Sequence, residues 1–363
     1  MGCRFSIGTC LGLFLVSTMR PPAAQAQPYT ARDLGTLGGY YSFAYGINAS
    51  GQVVGNSEID FPPTPTHAFL WDEKEGMRDL GTLGGRNSYA FSINSAGQVV
   101  GCSNTMSGET HAFLWTRGGD DGVSINAEMK DLGTLSGGDS CAYGINDFGL
   151  IAGFSGFLYA ERAVIWGTAG EIVDIAPGRA TGINSLGQVA GAVTIRGTIT
   201  DAFLWDPVTG LQDLGVVGGD YPQSWATSIN EYGQVVGSSS TASRSHGFLY
   251  NGETDLVDLG TLGCDCFSDA FAINNSDQIV GDSVTLGEMQ FAVLWDSQGQ
   301  IHNLNDLVPA GSGWRLQEAR AINDAGQVAA WGYHNGPGHA VLLSPDTDGS
   351  GTQRREFCCS SGL

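Results

Sequence analysis

Lysine is almost absent from this chain, and positive charge in general is scarce. The only lysines are Lys74 and Lys130, and 37 acidic residues against 16 Lys and Arg residues give a net charge of −21. A surface of that sign repels the phosphates of nucleic acids and the anionic headgroups of membranes. The composition therefore argues against nucleic acid or an anionic membrane surface as the partner.

The common catalytic motifs are also absent. The sequence contains no G-x-S-x-G nucleophile elbow, no H-E-x-x-H, no C-x-x-C and no P-loop, and "GFSGF" at Gly153 misses the first of these by one position. These absences argue against the usual serine-hydrolase, zinc and nucleotide-binding classes. They leave open a hydrolase that uses a metal ion and scattered carboxylates.

The longest apolar run lies at the start of the chain, where Ile7 to Met19 follows Arg4 and precedes the small-residue pattern Ala24-Gln25-Ala26. This order predicts a signal peptide over residues 1–26, cut after Ala26, and hence a secreted or periplasmic protein. The run is too short to cross a bilayer, so we expect no membrane span. Export permits disulfides, but the six cysteines beyond residue 26 are too few to build the fold of so long a chain.

The chain instead has repetition, together with 55 glycines. The word I-N-x-x-G-Q-V-V-G occurs seven times with variations, at a mean spacing of about 46 residues. A second word, such as "HAFLW" at His67, follows each copy, and a third word, D-L-G, follows most of them. The asparagines of the first word are Asn48, Asn94, Asn146, Asn184, Asn230, Asn274 and Asn323.

Each repeat unit predicts a four-stranded antiparallel meander. The residues before the first word, "QVVG", "HAFLW" and the D-L-G word are typical short strands, and I-N-x-x-G is typical of a tight turn with glycine at positive φ. Units of this length cover their apolar faces by stacking in a ring. The sequence therefore predicts an all-β, seven-bladed β-propeller over residues 27–345, with the small-residue first strands next to the axis.

One D-L-G word, at Asp33, has no unit before it, and the seventh unit ends at "HAVLLS" without a D-L-G word after it. We therefore expect Tyr29 to Gly35 to pair with His339 to Ser344 as the outer strand of the last blade. This pairing would close the ring and remove two exposed sheet edges.

The repeated words resemble those of the HAF-repeat family of exported bacterial proteins, named for the tripeptide that stands here at His67–Phe69 and His111–Phe113. The resemblance covers residues 29 to 345. It implies a propeller-like architecture. It implies no particular activity, because the family has no agreed catalytic residues.

The meander predicts two faces of different character. The turns after the first and third strands share one face, here called the turn face, and are short and alike. The remaining loops share the opposite, variable face and differ between units, as "EIDFPPTPT" and "VVGGDYPQSW" do. Binding and catalytic residues concentrate in variable loops on a rigid scaffold, so we expect a site at the channel mouth on the variable face. The candidate catalytic carboxylates there are Asp139, Asp265, Asp269 and Glu318, with Asp220, Arg86 and Arg179 as further polar residues.

Two repeated polar sets have alternative interpretations. The seven asparagines are placed to ring a channel and bind a cation or sugar, but turn formation explains them more simply. His67, His111, His246 and His339 share one repeat position and resemble a metal set. They begin the third strand from the axis, however, where the histidines of different blades lie far from one another. We therefore expect a structural role.

The tail over residues 346–363 is acidic and contains cysteine. Its "DTDGSG" matches the start of a calcium loop through Asp346, Asp348 and Ser350, but Phe357 stands where the closing acid belongs. A Ca²⁺ site and a flexible tail are the alternatives. Cys102 and Cys141 lie toward the variable face of adjacent predicted blades, so a disulfide between them is expected.

Two functions remain. The first is a secreted, monomeric binding or interaction scaffold whose variable face takes a small molecule, a glycan or a protein. The alternative is a Ca²⁺-assisted hydrolase of lactonase or esterase type, in which the ion at the channel mouth polarises a carbonyl and a carboxylate activates water. The absence of catalytic motifs favours the first, and the acidic loops motivate the second.

Overall fold

The computed structural model describes residues 28–60, 65–158, 160–195, 199–219, 222–252, 255–263 and 266–346. The predicted signal peptide, Asp220, Asp265 and the tail beyond Asp346, with Asp348 and Ser350, lie outside these ranges. Within them the chain forms 27 strands and a single 3-10 turn at Leu304–Asp306. None of its described helical structure has the length and apolar character that a membrane crossing needs.

Five of the sheets contain four antiparallel strands each. The first two comprise β2 (Ser42–Ile47), β3 (Val53–Glu58), β4 (Thr66–Asp72) and β5 (Gly76–Asp79), then β6 (Gly84–Ile93), β7 (Val99–Thr105), β8 (Thr110–Trp115) and β9 (Met129–Asp131). The next two comprise β17 (Ser224–Ile229), β18 (Val235–Ser240), β19 (Ser245–Tyr250) and β20 (Val257–Asp258), then β21 (Phe267–Ile273), β22 (Ile279–Val284), β23 (Gln290–Trp295) and β24 (Ile301–Asn303). The fifth combines β25 (Trp314–Ile322), β26 (Val328–His334) and β27 (Gly338–Pro345) with β1 (Tyr29–Asp33).

The sixth sheet has seven strands. They are β10 (Asp139–Ile145), β11 (Ile151–Gly156), β12 (Arg162–Trp166), β13 (Ile172–Ile183), β14 (Val189–Ile195), β15 (Ile199–Asp206) and β16 (Gly210–Gly215). The part of β13 up to Pro177 pairs with β12, and the part from Gly178 pairs with β14. The all-β class and the four-stranded antiparallel unit are confirmed. The sheets of the described residues number six and not seven, because β13 continues as a strand where a loop was expected. None of these sheets closes on itself.

The glycine of the second-strand word is required by close packing. A Cβ on Gly101 would overlap the carbonyl oxygen of Tyr89, and a Cβ on Gly237 would overlap that of Trp225. Only glycine lets the second strand approach the first so closely. The recurrence of glycine in "QVVG" is therefore a steric consequence of how the first two strands of a unit pair.

The seven asparagines form a belt of hydrogen bonds around one channel. The side-chain oxygen of Asn274 accepts the backbone N–H groups of Ser276 and Gln278, each at 3.0 Å, as expected of a turn residue. Its Nδ2 also donates to the carbonyl oxygen of Asn323 in the next unit, at 3.0 Å. All seven asparagines make this second bond, at 2.9–3.2 Å, and Asn323 donates back to Asn48.

The hydrogen bonds of the belt argue against the alternative interpretation, in which the asparagines bind a cation or a sugar. Their side-chain oxygens accept two hydrogen bonds within the turn, and their side-chain nitrogens donate across units. In six of the seven units the nitrogen has a second acceptor, the side-chain oxygen of the glutamine four residues later; Asn146, followed by Leu150, is the exception. Side chains so engaged have little capacity left for a cation or a sugar.

The N-terminal strand joins the last sheet. β1 pairs antiparallel with β27, from Tyr29 opposite Pro345 to Asp33 opposite Val341, which is the partner that its D-L-G word predicts. Tyr29 is 3% exposed and packs in one apolar cluster with Leu304 and Leu343. The strand therefore covers an edge of β27 and contributes to the core.

The four histidines of the HAF position each pair with the aspartate of a D-L-G word. The Nδ1 to carboxylate distances are 2.9–3.0 Å, and the pairs are His67 with Asp79, His111 with Asp131, His246 with Asp258 and His339 with Asp33. In the third unit Arg162 replaces histidine and binds Asp174 through Nε at 2.9 Å. The position thus joins the third strand of a unit to its fourth.

The pair at Asp33 has a pH consequence. Burial favours a higher pKa for Asp33, but hydrogen bonds from His339, from the Gly35 backbone and from His334 outweigh it and lower the pKa to about 2. Because this pKa lies below the usual value of an aspartate, the pair stabilises the fold above about pH 4, and that stabilisation is lost as the pH falls toward 2.

The fourth unit breaks the pairing rule. Asp201 occupies the histidine position and faces Asp213, so that burial and, secondarily, the charge of Asp213 raise the pKa of Asp201. Two carboxylates that approach each other in this way repel when both are ionised.

Replacing Tyr29 by Ala should remove the buried anchor of β1. Loss of a fully buried aromatic side chain costs about 3–5 kcal/mol, so we expect a fall of that size in the free energy of unfolding, measured by denaturant titration. The matched control is Thr30→Ala, because Thr30 lies on the same strand with its side chain exposed. Equal stabilities of the two variants would show that β1 does not support the fold.

Replacing Asp201 by His should create the pair found in four other units. We expect a gain of about 0.5–1 kcal/mol at pH 7, the range of partly exposed ion pairs, seen as a higher melting temperature. Asp201→Asn removes the repulsion alone and should give a smaller gain. Both gains should shrink as the pH falls and Asp201 takes up a proton in the parent, because the repulsion from Asp213 then disappears. A destabilised Asp201→His variant would contradict the pairing rule.

Candidate functional site at the channel mouth

A β-bulge lies at the same point in every inner strand, the strand that ends at a belt asparagine. The pairing register shifts three residues before that asparagine, for example between Ala44 and Gly46 in β2 and between Ala319 and Ala321 in β25. A bulge turns its extra residue out of the ladder. The seven extra residues line a channel cavity of about 210 Å³, and they are Tyr45, Phe91, Tyr143, Thr181, Thr227, Phe271 and Arg320.

Four aromatic bulge residues and Arg320 form one arc along the channel. The ring centroids of Tyr45 and Phe91 are 5.4 Å apart, and those of Phe91 and Tyr143 are 5.2 Å apart. The Arg320 guanidinium lies 3.9 Å from the centroid of Phe271 and 6.0 Å from that of Tyr45. Such distances suit aromatic and cation–π contacts, so one side of the channel is an aromatic wall.

A second variable position lies five residues before each belt asparagine. Its side chain stands opposite a residue of the following strand, and together these pairs define what we call the mouth. The pairs are Phe43 with Asn56, Tyr89 with Cys102, Cys141 with Phe154, Arg179 with Ala192, Trp225 with Ser238, Asp269 with Asp282 and Glu318 with Trp331. No two pairs are alike, whereas the residue before the asparagine is isoleucine in all seven units.

Three carboxylates gather at one side of the mouth, and we call Asp269, Asp282 and Glu318 the acid cluster. Gln290 Nε2 donates to Asp282 at 2.6 Å and to Glu318 at 3.1 Å. Arg320 Nε donates to the second oxygen of Glu318 at 2.7 Å, and Ser238 donates to Asp269. The Arg320 guanidinium therefore binds one acid of the cluster, Glu318.

Asp282 is the buried member of the acid cluster. It is 4% exposed, and within the described part of the chain its Oδ1 has no hydrogen-bond partner. Burial raises its pKa to about 7, with the charges of Asp269 and Glu318 adding to the rise and Gln290 and Arg320 opposing it. A carboxyl group with that pKa exchanges its proton near neutral pH.

The other side of the mouth holds an ion pair and a disulfide. Arg179 binds Glu161 through two hydrogen bonds of 2.6 Å, and its guanidinium lies 4.6 Å from the centroid of Phe154. Cys102 and Cys141, the pair expected from the sequence, are joined by a disulfide that links β7 to β10. The mouth thus has a cross-linked, paired side and an acidic side.

The structure brings together two of the four predicted carboxylates. Asp269 and Glu318 belong to the acid cluster, but Asp139 lies apart at the start of β10, where it accepts the backbone N–H of Thr110 at 2.9 Å. Asp265 is outside the described residues. Asp282 was not predicted, although the position after the glycine of "QVVG" differs in every unit and was the available signal.

The described residues hold no group of three or more His, Cys, Asp or Glu side chains arranged to bind a metal ion. The interposed Gln290 amide between Asp282 and Glu318 agrees with this. Of the predicted tail loop only Asp346 is described, and its backbone N–H donates to the Pro28 carbonyl at 2.9 Å.

Similarity to solved structures shows the fold. The β-propeller domain of the Trilobed protease from Pyrococcus furiosus, which has an open velcro topology, matches with a TM-score of 0.53 at 10% identity, over 83% of this chain and 93% of that one. A puromycin-hydrolyzing peptidase from Mycobacterium tuberculosis matches with 0.54 at 10% identity, over 88% of this chain and 55% of that one. A gluconolactonase from Xanthomonas campestris reaches only 0.38 at 12% identity, over 90% and 99%, and carries no argument.

Sequence comparison gives a family without an activity. No curated protein matches the chain significantly. The family model described as "Protein of unknown function (DUF3466)" matches residues 161–356, which is more than half of the sequence. This β-propeller chain belongs to that family.

Proposed function

We propose that the protein is an exported propeller of the HAF-repeat type that binds a ligand at the mouth on its variable face. We further propose that its ring has seven blades and is closed by β1. The seven-stranded sheet divides within β13, between Pro177 and Gly178. Each part of β13 completes a group of four strands, and these two groups with the five other sheets make seven. The return bond from Asn323 to Asn48 and the pairing of β1 with β27 support closure.

The observation that carries the binding proposal is the contrast between constant and divergent positions along each inner strand. Isoleucine and asparagine recur in all seven units where they pack and form the belt. Three residues earlier the side chains differ from unit to unit and line one channel. Five residues earlier they differ as well, and members of those pairs contact the channel residues, as Glu318 contacts Arg320 and Phe154 contacts Tyr143. A ring that needed only to hold itself together would have no physical reason to vary there.

The composition of the mouth fits a small polar ligand with an apolar face. Rings of the aromatic wall offer flat apolar surface. The acid cluster adjoins this wall through the bond from Arg320 to Glu318, and Arg179 adjoins it through a hydrogen bond with Tyr143. Ligand sites commonly combine an apolar lining with a few placed polar groups. The channel part of about 210 Å³ has room for a single ring or side chain.

The hydrogen bonds made by the acid cluster favour a binding function over hydrolysis. Glu318 is held by Arg320 and Gln290, and Asp269 accepts from Ser238. The calcium-assisted hydrolase would need an ion on oxygens that are free to coordinate it. Asp282 Oδ1 is an unpartnered oxygen of the cluster, but calcium takes about six to eight oxygen ligands, so that alternative depends on further ligands such as Asp265.

The test is a glycan and peptide array probed with the mature chain, from Gln27 onward. We expect discrete hits that Trp225→Ala weakens at least tenfold, because Trp225 is an exposed mouth residue, 40% accessible. The matched control is Tyr232→Ala, an exposed aromatic on the turn face, which should bind as the parent does. Hits lost with Tyr232→Ala and kept with Trp225→Ala would contradict the proposal.

A second arm tests the hydrolase. Ester and lactone substrates are incubated with the protein, with and without Ca²⁺ and a chelator. We expect no turnover. Turnover that chelation abolishes and that Asp265→Ala or Glu318→Ala reduces would replace the binding proposal by the hydrolase.

A further inference from the structure

We propose that the acid cluster is the subsite for a primary ammonium group of the ligand. This inference rests on the proposed function, since it names the chemistry of the ligand that the mouth takes. Asp269, Asp282 and Glu318 come from β21, β22 and β25, so three strands present them to one point. The cation beside them is Arg320, which is engaged with Glu318.

An independent observation points to a missing hydrogen-bond donor. Asp282 is 4% exposed, and its Oδ1 accepts from no group among the described residues, although its Oδ2 accepts from Gln290 at 2.6 Å. Buried carboxylate oxygens in folded proteins almost always have a donor. An N–H group from a ligand would supply one after a small shift of the Asp282 side chain toward the mouth.

The geometry around the cluster favours nitrogen as that donor. Gln290 Nε2 already sits between two of the carboxylates, 2.6 Å from Asp282 and 3.1 Å from Glu318, so an N–H donor fits the spacing. The described residues form no group that would hold a metal ion. A primary ammonium group brings three donors and the positive charge that the cluster lacks.

The surroundings accept a cation. Phe271 already carries the Arg320 guanidinium at 3.9 Å from its ring centroid, so the aromatic wall next to the acids tolerates positive charge. The net charge of −21 attracts cationic ligands from a distance and repels anionic ones. A neutral hydroxyl would satisfy Asp282 Oδ1 but would leave the charge of the cluster uncompensated.

Binding of an ammonium group should displace a proton. The pKa of Asp282 is raised to about 7 chiefly by burial and also by Asp269 and Glu318, against Gln290 and Arg320. The ligand remains R–NH₃⁺, the Asp282 carboxyl becomes a carboxylate, and its proton passes to the solvent. Ser238, on β18, has no charge that changes in this range. Affinity should therefore rise about tenfold from pH 6 to pH 8.

Isothermal titration calorimetry of the mature chain tests the inference. The probes are glucosamine and Nα-acetyl-lysine methylamide, which separate an amino sugar from a peptide amine, each with its N-acetylated neutral counterpart. We expect at least one amine to bind at least tenfold more tightly than its counterpart when both are compared at pH 6.5, where both amines are mostly protonated. The pH trend above is measured with the lysine amide alone, because its amine stays protonated from pH 6 to pH 8. Titrations of the lysine amide at pH 7 in buffers of different ionisation enthalpy should show release of about half a proton per site.

Variants make the assignment specific. Asp282→Asn keeps the size of the side chain and should weaken amine binding at least tenfold and abolish its pH dependence. Asp201→Asn is the control, since Asp201 is another carboxyl with a raised pKa that lies outside the mouth. An unchanged pH profile in Asp282→Asn, or equal affinity for amines and acetylated forms, would overturn the inference.

Failure of the inference is distinguishable from failure of the proposed function. Neutral array ligands that bind, and that Trp225→Ala weakens, would preserve a mouth site while excluding its ammonium subsite. Absence of both amine binding and array hits at the mouth would reject the two together.

Discussion

The hydrogen bond from each belt asparagine to the carbonyl of the next is the contact on which the remaining architecture depends. Every unit makes it, whereas other bonds across units near the axis, such as Thr181 to the Ala226 carbonyl, occur only in some, and it is made from a side chain that also shapes its own turn. Because Nδ2 and the accepting carbonyl are fixed, the inner strands meet at a set distance, and the isoleucine before each asparagine fills the space between them. The side chain of the bulge residue, three positions earlier, then points into the channel.

Constant contacts at the belt free other positions to differ. The histidine and aspartate pairs, such as His246 with Asp258, hold the outer strands together by a contact that most units repeat. The glycine of "QVVG" keeps the first two strands close. Because these repeated contacts hold the strands together, the mouth can carry a different pair of side chains in every unit. The acid cluster lies where Asp269, Asp282 and Glu318 are neighbours. Burial of Asp282 there costs stability, which is typical of a position retained for binding.

Much of this architecture was predictable from the sequence because it depends on short-range spacing. Repeated words gave the strands and turns, and the isolated D-L-G word gave the pairing of β1 with β27. The Cys102–Cys141 disulfide followed from the order of the strands. The belt was not predictable, because turn chemistry alone explains asparagine and the accepting carbonyl belongs to another unit. The bulges and the continuous β13 depend on the register between strands. Asp282 stood within an apolar strand word, where only comparison of the aligned units would have separated it from Asn56 or Cys102.

Substitution of Asn274 by Asp separates the role of the belt from that of the turn. Aspartate serves a tight turn as well as asparagine does, and Gln278, which now accepts from Asn274 Nδ2 at 2.9 Å, can turn its own amide nitrogen toward a carboxylate. A role in the turn alone therefore predicts an unchanged stability. The belt predicts a loss, because a carboxylate oxygen would face the Asn323 carbonyl in place of the donating nitrogen, 3.0 Å away. We expect the free energy of unfolding of the Asn274→Asp variant at pH 7 to fall by about 2–4 kcal/mol, with partial recovery below about pH 4, where the introduced carboxyl group is protonated and can donate. A variant as stable as the parent at pH 7 would show that the belt does not hold the units together.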